Sequence, residues 1–451
     1  MTRMAALFGT DGIRGPAGQF PLNRQGAFSL GKSLAVLLRE RGLEPRVLVG
    51  RDTRQSGVWL EEALASGIAR SGGSCVSAGI IPTAAVSSLV SRRGFGAGVV
   101  ISASHNASPD NGLKVFSNKG LKIPAEWEGA LERGILAESG AADDPGPSQK
   151  VNPDPTLAVD YLDFLLSRVP LPKKGRRPRL VLDCANGSAY RLAPRLFLEL
   201  GFETETIACL PDGRNINQDC GSQHPQRLAQ TVLDKKAHLG IAFDGDADRA
   251  IWVDETGRVL NGDHTLYIQA RHLHQEDRLK GKVVVATSMS NLGLEIALGR
   301  LGIKLERTRV GDKYVLERMM ELGAVLGGER SGHTIFLEDG PAGDGLLTSL
   351  KMLKVLGEHE DSLSALVEGF QEYPQELRNV PVSRQPDFRD VPEVWAVIKE
   401  VQGELAGRGR LDVRYSGTEP VARIMAEAED PALVEKCVRR VAEVIARSLG
   451  T

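Results

Sequence analysis

A chain of 451 residues has room for about three domains, and its formal net charge of −2 calls for neither nucleic acid nor an acidic membrane surface. It is 41% hydrophobic and 25% charged, the ordinary balance of a soluble globular protein; its five cysteines are odd in number and include no Cys-x-x-Cys pair, which argues against a disulfide framework or a zinc site. The first residues form no signal peptide and no run approaches the ~20 apolar residues that span a bilayer, so a cytoplasmic location without a membrane partner is expected.

Fifty glycines and a recurring strand-then-loop pattern point to an α/β protein. The chain starts with a glycine-rich polar loop, Phe8–Gly15, that carries Arg14. Short β-branched runs then predict strands at Arg46–Gly50, Gly98–Ser102, Leu180–Leu182, Gly240–Phe243 and Lys282–Ala286. These are continuous apolar runs rather than alternating ones, which predicts strands covered on both faces. A helix capped by Ser56 carries Leu60, Leu64 and Ile68 on one face and stops at Gly72-Gly73. Two stretches, Ser139–Pro155 and the hinge candidate Glu372–Asp387, have the composition of linkers, and the basic cluster Lys173–Arg177 among prolines reads as another. Last come strands at Leu411–Arg414 and Ala422–Ala426 and a helix opened by Asp430-Pro431, with Val434, Cys437, Val441, Ile445 and Leu449 along one face. No repeat is visible in the sequence.

The sharpest chemical signal is Asp244-Gly245-Asp246-Ala247-Asp248-Arg249, directly after a strand. Three carboxylates separated by the smallest side chains can fold round one hard cation, Mg²⁺ or Ca²⁺. An EF-hand is excluded because Arg249 occupies the position that requires glycine, and strands flank the loop. At another strand end, Ser104 and His105 lie in Ser102-Ala103-Ser104-His105-Asn106; alone, such residues more often form turns than carry catalysis. Lys114 follows close by and could serve an oxyanion or carry a proton. Arg414-Tyr415-Ser416-Gly417-Thr418, with Arg423 interrupting the next apolar strand, combines hydroxyls, a glycine and two arginines, as an anion cradle would. The loop Gly327-Gly328-Glu329-Arg330-Ser331-Gly332-His333 offers groups that can grip sugar hydroxyls.

Taken together and in this order, these loops resemble the phosphohexomutase superfamily over essentially the whole chain. The nearest branch is the one acting on glucosamine phosphates, on FGTDGIRG (8–15), DGRNINQDCGSQHP (212–225), TSMSNLGLE (287–295), RVGDKYV (309–315) and YPQELRNVPV (373–382). The resemblance implies three similar α/β domains with mixed sheets plus a smaller C-terminal α+β domain round a central cleft, divided at 1–150, 151–255, 256–371 and 372–451. It implies that Ser104 is phosphorylated, and that Asp244, Asp246 and Asp248 hold one Mg²⁺ together with an oxygen at Ser104. Lys114, Arg14, His105 and His333 would be the catalytic candidates for proton transfer and orientation. Arg249, Gly328, Glu329 and Ser331 would contact the reacting phosphate and sugar, and Arg414, Ser416, Gly417, Thr418 and Arg423 the other phosphate. The implied partner is a hexosamine phosphate, with a sugar 1,6-bisphosphate as intermediate and activator; a homodimer is the assembly it admits. Two departures stand out: Ala107 replaces a common proline after His-Asn, and Arg330 replaces the usual glutamine between Glu329 and Ser331.

Overall fold

The computed structural model describes residues 7–138, 150–170, 177–359, 362–416 and 420–450. The linker reading of Ser139–Pro155 falls outside these residues up to position 149, as does the basic cluster up to Arg176. The chain divides into two compact units, one of Met1–Thr287 with Thr308–Val367, the other of Ser288–Arg307 with Glu368–Thr451.

In the first unit, β1 (Ile13–Pro16), β2 (Arg46–Arg51), β3 (Ser74–Ile80), β4 (Ala97–Ile101) and β5 (Asp110–Ser117) form a sheet in the order β1-β5-β4-β2-β3. Strand β2 is parallel to β3 and β4, while β5 and β1 close the other edge antiparallel. A second sheet repeats the scheme with β6 (Leu180–Asp183), β7 (Thr204–Ile207), β8 (Leu239–Phe243), β9 (Ala250–Asp254) and β10 (Val259–Leu260), in the order β10-β9-β8-β6-β7. Here β6 is parallel to β7 and β8, and β9 and β10 are antiparallel. Strands β4 and β8 therefore hold equivalent places, and so do the loops that follow them. Next come β11 (Val283–Thr287), β12 (Lys304–Thr308, which belongs to the second unit except for its last residue), β13 (Leu326–Gly328) and β14 (Thr334–Phe336); β13 runs parallel to β11 and antiparallel to β14. Every residue of β4, β6, β8, β9 and β11 is buried, which is why their sequences are continuously apolar.

Helices α1 (Arg24–Glu40) and α2 (Gln55–Arg70) pack backbone against backbone. A Cβ on Gly31 would lie 2.2 Å from the Leu64 carbonyl oxygen, and one on Gly67 2.0 Å from that of Phe28. The predicted cap at Ser56 is corrected: α2 begins at Gln55, after Arg54, which makes no side-chain capping bond. The Ser56 hydroxyl instead accepts a hydrogen bond from Asn111 Nδ2 at 2.8 Å, a long-range partner that local pattern does not reveal.

In the second unit, β15 (Gln375–Pro381), β16 (Gly409–Tyr415) and β17 (Val421–Ala428) form an antiparallel sheet in the order β15-β17-β16, packed with the helices Pro392–Leu405 and Pro431–Leu449. The linker reading of Glu372–Asp387 is corrected, because β15 occupies its middle and pairs with β17 from Gln375 to Pro381. Its prolines are tolerated because β15 is an edge strand. The last helix starts as expected: the Asp430 carboxylate accepts the Ala432 N–H at 2.9 Å, Pro431 stands at the first position, and the five predicted apolar residues are buried. The fold is α/β with mixed sheets and an antiparallel C-terminal domain.

Candidate active site

Ser104 sits in the loop after β4 with a left-handed backbone, φ 51°, a conformation that a serine holds only when its surroundings enforce it. Its N–H donates to Ser102 Oγ at 2.9 Å, and that hydroxyl donates to Asp52 Oδ2 at 2.5 Å. Asp52 also pairs with Arg54 Nε at 2.9 Å, both side chains being fully buried. The Arg54 fork then donates to the carbonyl oxygens of Ala107 (2.5 Å), Asp110 (3.0 Å), Ser104 (3.1 Å) and Asn106 (2.8 Å). Asn217 Nδ2 adds bonds to the Ser104 and Asn106 carbonyls at 2.8 and 3.0 Å. This clamp restrains the loop at Ala107, where the usual proline is missing.

The Ser104 hydroxyl donates to Asp244 Oδ2 at 2.5 Å and lies 3.2 Å from His105 Nδ1. Burial, helped by the cationic Arg249 and Arg14, pushes the His105 imidazole down to about 3, so its ring is neutral. Asp244 belongs to the turn joining β8 to β9. That turn lies against the chain so closely that a Cβ on Gly187 would meet the Gly245 backbone at 2.4 Å.

Asp244, Asp246 and Asp248 bring carboxylate oxygens within 4.8 Å of one another, all buried. Thr83 Oγ1 and Lys114 Nζ bind Asp246 Oδ2 at 2.6 and 2.8 Å, but Asp246 Oδ1 and Asp248 Oδ1 are buried without a donor. Burial, then Asp248 and Asp246, drive the Asp244 carboxyl well above its usual range. Asp248 suffers the same burial, yet Lys114 and His333 hold it below that range. An oxygen-only trio with two donorless oxygens fits a hard divalent cation, which would relieve this repulsion. An acidic metal-binding group is thus present.

Lys114, expected near the loop, lies buried within β5. It belongs to a closed ring of ionisable side chains. Lys114 contacts Asp11 at 2.8 Å, Asp11 contacts Lys122 at 2.6 Å, and Lys122 contacts Asp312 at 2.6 Å. Asp312 lies 3.7 Å from His333, His333 lies 3.6 Å from Asp248, and Asp248 lies 3.6 Å from Lys114. Burial opposes the ammonium charge, but Asp11, Asp246 and Asp248 raise it above its ordinary value, which suits a fixed positive charge better than a proton carrier. Arg14 pairs with the same Asp11. Burial also opposes charge on His333, where Asp248 prevails and lifts the ring to about 9. Yet Gly343 donates its N–H to His333 Nε2 at 3.1 Å, which requires a lone pair there. A cation on the aspartates would weaken the pull of Asp248 and so favour the neutral ring that this hydrogen bond needs, with its proton on Nδ1.

Gly328, Glu329 and Ser331 form the turn between β13 and β14, where the Glu329 N–H donates to His333 O at 2.8 Å. Glu329 Oε1 accepts the Gly311 N–H at 3.1 Å. Arg249 Nε is buried and hydrogen-bonds nothing among the described residues, its nearest carboxylate oxygens lying 3.8 Å away on Asp248 and 4.0 Å away on Asp244. Its unused donor and the two donorless carboxylate oxygens leave this region able to take both an anion and a cation.

In the second unit, Arg414 and Arg423 face each other across β16 and β17, and the Ser416 N–H closes the turn on Val421 O at 2.9 Å. Gly417 and Thr418 lie outside the described residues. The first unit thus brings together Ser104, the three aspartates, Lys114, His105, Arg14, Arg249 and His333, and the second holds the two arginines and Ser416 as a separate group. Sequence reading gave no role to Asp11, Asp52, Arg54, Thr83, Lys122, Asn217 or Asp312. Asp11, Asn217 and Asp312 do stand in quoted motifs, at FGTDGIRG, DGRNINQDCGSQHP and RVGDKYV, which was the available signal.

Four domain descriptions match the chain: phosphoglucomutase/phosphomannomutase alpha/beta/alpha domain I over residues 5–141, domain II over 159–257, domain III over 261–373 and the C-terminal domain over 377–444. A phosphoglucosamine mutase of Solibacter usitatus is 45% identical over 444 residues, covering 98% of this chain and 99% of that protein. The crystal structure of a phosphoglucomutase/phosphomannomutase family protein from Burkholderia thailandensis superposes with a TM-score of 0.79 at 25% identity, covering 98% of this chain and 97% of that one. An Aspergillus fumigatus N-acetylphosphoglucosamine mutase, solved with GlcNAc-6P and magnesium, has the same fold at a TM-score of 0.66 and 17% identity, covering 99% and 96% of the two chains. A fold shared domain by domain, with a buried serine on a three-carboxylate cation site, places the chain in the phosphohexomutase superfamily, where it belongs to the phosphoglucosamine mutase family.

Proposed function

We propose that this chain interconverts glucosamine 6-phosphate and glucosamine 1-phosphate, with Ser104 as the carrier of the phosphoryl group. The observation that carries the reading is the Ser104 hydroxyl bound at 2.5 Å to Asp244, one of three carboxylates poised for a cation. Phosphoserine 104 gives its group to a sugar hydroxyl, making the 1,6-bisphosphate. The other phosphate of that intermediate then returns to Ser104. When it does, the Oγ proton has two acceptors in reach, Asp244 Oδ2 and His105 Nδ1. One magnesium ion held by Asp244, Asp246 and Asp248 with an oxygen at Ser104 would neutralise charge on the transferring group. Lys114 and Arg249 supply fixed positive charge, and Arg14 and His333 orient the groups around them. Gly328, Glu329 and Ser331 hold the sugar, with the Glu329 carboxylate as acceptor for its amino group. Arg414, Ser416, Gly417, Thr418 and Arg423 hold the phosphate that is not reacting. The product serves amino-sugar synthesis for the cell wall, in the cytoplasm.

A coupled assay of glucosamine 6-phosphate conversion, run with wild type and Ser104→Ala, tests this. Turnover that vanishes in the variant supports both reaction and carrier; turnover that survives removes Ser104 from the chemistry. The second reading, a phosphomannomutase or phosphoglucomutase, is favoured only by Arg330 in the sugar loop. A kcat/KM for mannose or glucose phosphate above that for glucosamine phosphate would establish it.

A further inference from the structure

Three cysteines cluster behind the catalytic loops, at the carboxyl ends of β6 and β7. Asp183 stands opposite Ile207 in the parallel ladder, and the pairing continues beyond it: Cys184 donates its N–H to Ile207 O at 3.2 Å and Asn186 to Ala208 O at 2.6 Å. Cys184 and Cys209 thus leave the sheet side by side. Cys209 Sγ donates to the Tyr190 carbonyl at 2.9 Å, and the buried Cys184 thiol is its neighbour. Cys184 is fully buried and Cys209 is partly exposed, so an oxidant reaches Cys209 first.

The surrounding backbone is under strain. Ala185, Asn186, Ala208, Asn217 and Asp219 all hold left-handed φ values between 47° and 58°. It is also wired to the site. Asn217 donates its N–H to Ala185 O at 2.9 Å and its side-chain amide to Ser104 O at 2.8 Å, while Thr53 Oγ1 donates to Asn186 O at 2.5 Å. A covalent bond between the two sulfurs would draw the strand ends together and shift Ala185, hence Asn217 and the Ser104 loop.

We propose that Cys184 and Cys209 form a reversible oxidation site that lowers activity by displacing the Ser104 loop. Hydrogen peroxide oxidises the Cys209 thiolate to sulfenic acid as its O–O bond breaks and hydroxide leaves. The Cys184 thiol then attacks that sulfur, the S–S bond forms, and water departs with the Cys184 proton. The neighbouring Cys184 thiol draws Cys209 down to about 7, so thiolate becomes accessible near neutral pH once its proton leaves the Tyr190 carbonyl. In a reducing compartment such a bond is transient, as sensing requires.

The test treats the full-length, magnesium-loaded protein with peroxide, blocks free thiols with N-ethylmaleimide and maps peptides without reduction. The expected product is a Cys184–Cys209 crosslink, absent in Cys209→Ser and removed by dithiothreitol. Activity should fall by roughly ten- to a hundredfold with the crosslink, the range that small misplacements of reacting groups cause, and should return on reduction. Untreated Cys209→Ser should match wild type and resist peroxide. A crosslink to Cys220, no crosslink at all, or a crosslink that leaves turnover unchanged overturns the proposal. Because the crosslink is read by mass, it is scored whichever sugar phosphate proves to be the substrate.

Discussion

Arg54 shows how one buried side chain can govern a catalytic loop. Its guanidinium is neutralised by Asp52 and spends its remaining donors on four carbonyl oxygens of the Ser104 loop. A lysine offers three donors from a point charge and cannot reproduce that fork. Arg54→Lys should therefore lower kcat by roughly ten- to a hundredfold while KM moves little, since the lost contacts position Ser104 rather than the substrate. A rise in KM at constant kcat would refute that role. A second buried group sets a pH dependence. Burial pushes the Asp344 carboxyl up to about 6 even though it accepts hydrogen bonds from Tyr161 Oη at 2.8 Å and Leu347 N at 2.9 Å. A folded-state value above the unfolded one favours the protonated fold. That contribution is complete below about pH 4 and is lost as pH rises through about 6, in all about 2–3 kcal/mol. The stability of Asp344→Asn relative to wild type, followed by urea unfolding, should thus improve between pH 4 and pH 7; a constant gap would contradict the shift. The three aspartates could be picked out from sequence because their chemistry is local, and Ser104 and Arg249 through the family resemblance that their contiguous motifs carry. The partners of Arg54, Thr83 and Asn217 could not, even though Asn217 stands in a quoted motif, since Thr83 meets its carboxylate 163 positions away and Asn217 its carbonyl 113 away.

At the scale of elements, α1 and α2 meet through glycines placed where neither helix tolerates a side chain. Helix propensity alone ranks alanine above glycine by about 1 kcal/mol. At Gly31, however, the added Cβ would strike a backbone carbonyl oxygen that cannot rotate away. Gly31→Ala should therefore lose about 1–3 kcal/mol in thermal or urea unfolding. Gly129→Ala should be neutral or stabilising, because its nearest neighbour is the flexible end of Arg133, 3.5 Å away in its own helix, Ala125–Ala137. A stabilised Gly31→Ala would show that the helices can separate. The seven strands predicted from β-branched runs lie within a residue or two of β2, β4, β6, β8, β11, β16 and β17, whereas strands such as β3 and β5, whose runs are broken by polar residues, were not read. The edge strand β15 was hidden because Pro374, Pro381 and Pro386 give its surroundings the composition of a linker.

At the scale of the molecule, two units carry different parts of the chemistry. Ser104, the three aspartates and the Glu329 loop, to which the proposed reading gives the carrier, cation and sugar roles, belong to one, and Arg414 and Arg423, facing each other across β16 and β17, to the other. Arg423→Ala should accordingly raise KM for the sugar phosphate at least tenfold, the scale of one or more charge-assisted hydrogen bonds. The extent of Ser104 phosphorylation, read by mass spectrometry, should not change; an unaltered KM would remove Arg423 from the substrate. The sequence by itself determined the α/β class, the chemistry of the carboxylate trio and the membership of the superfamily, since each is written in short contiguous stretches. Only the tertiary structure decided that the first two sheets repeat one strand order without any visible sequence repeat. It alone placed the loop after β4, with its serine, and the loop after β8, with its aspartates, in equivalent positions and in contact. Strand order and side-chain partnership are set by packing between segments far apart in the chain, where no local pattern records who the neighbour will be.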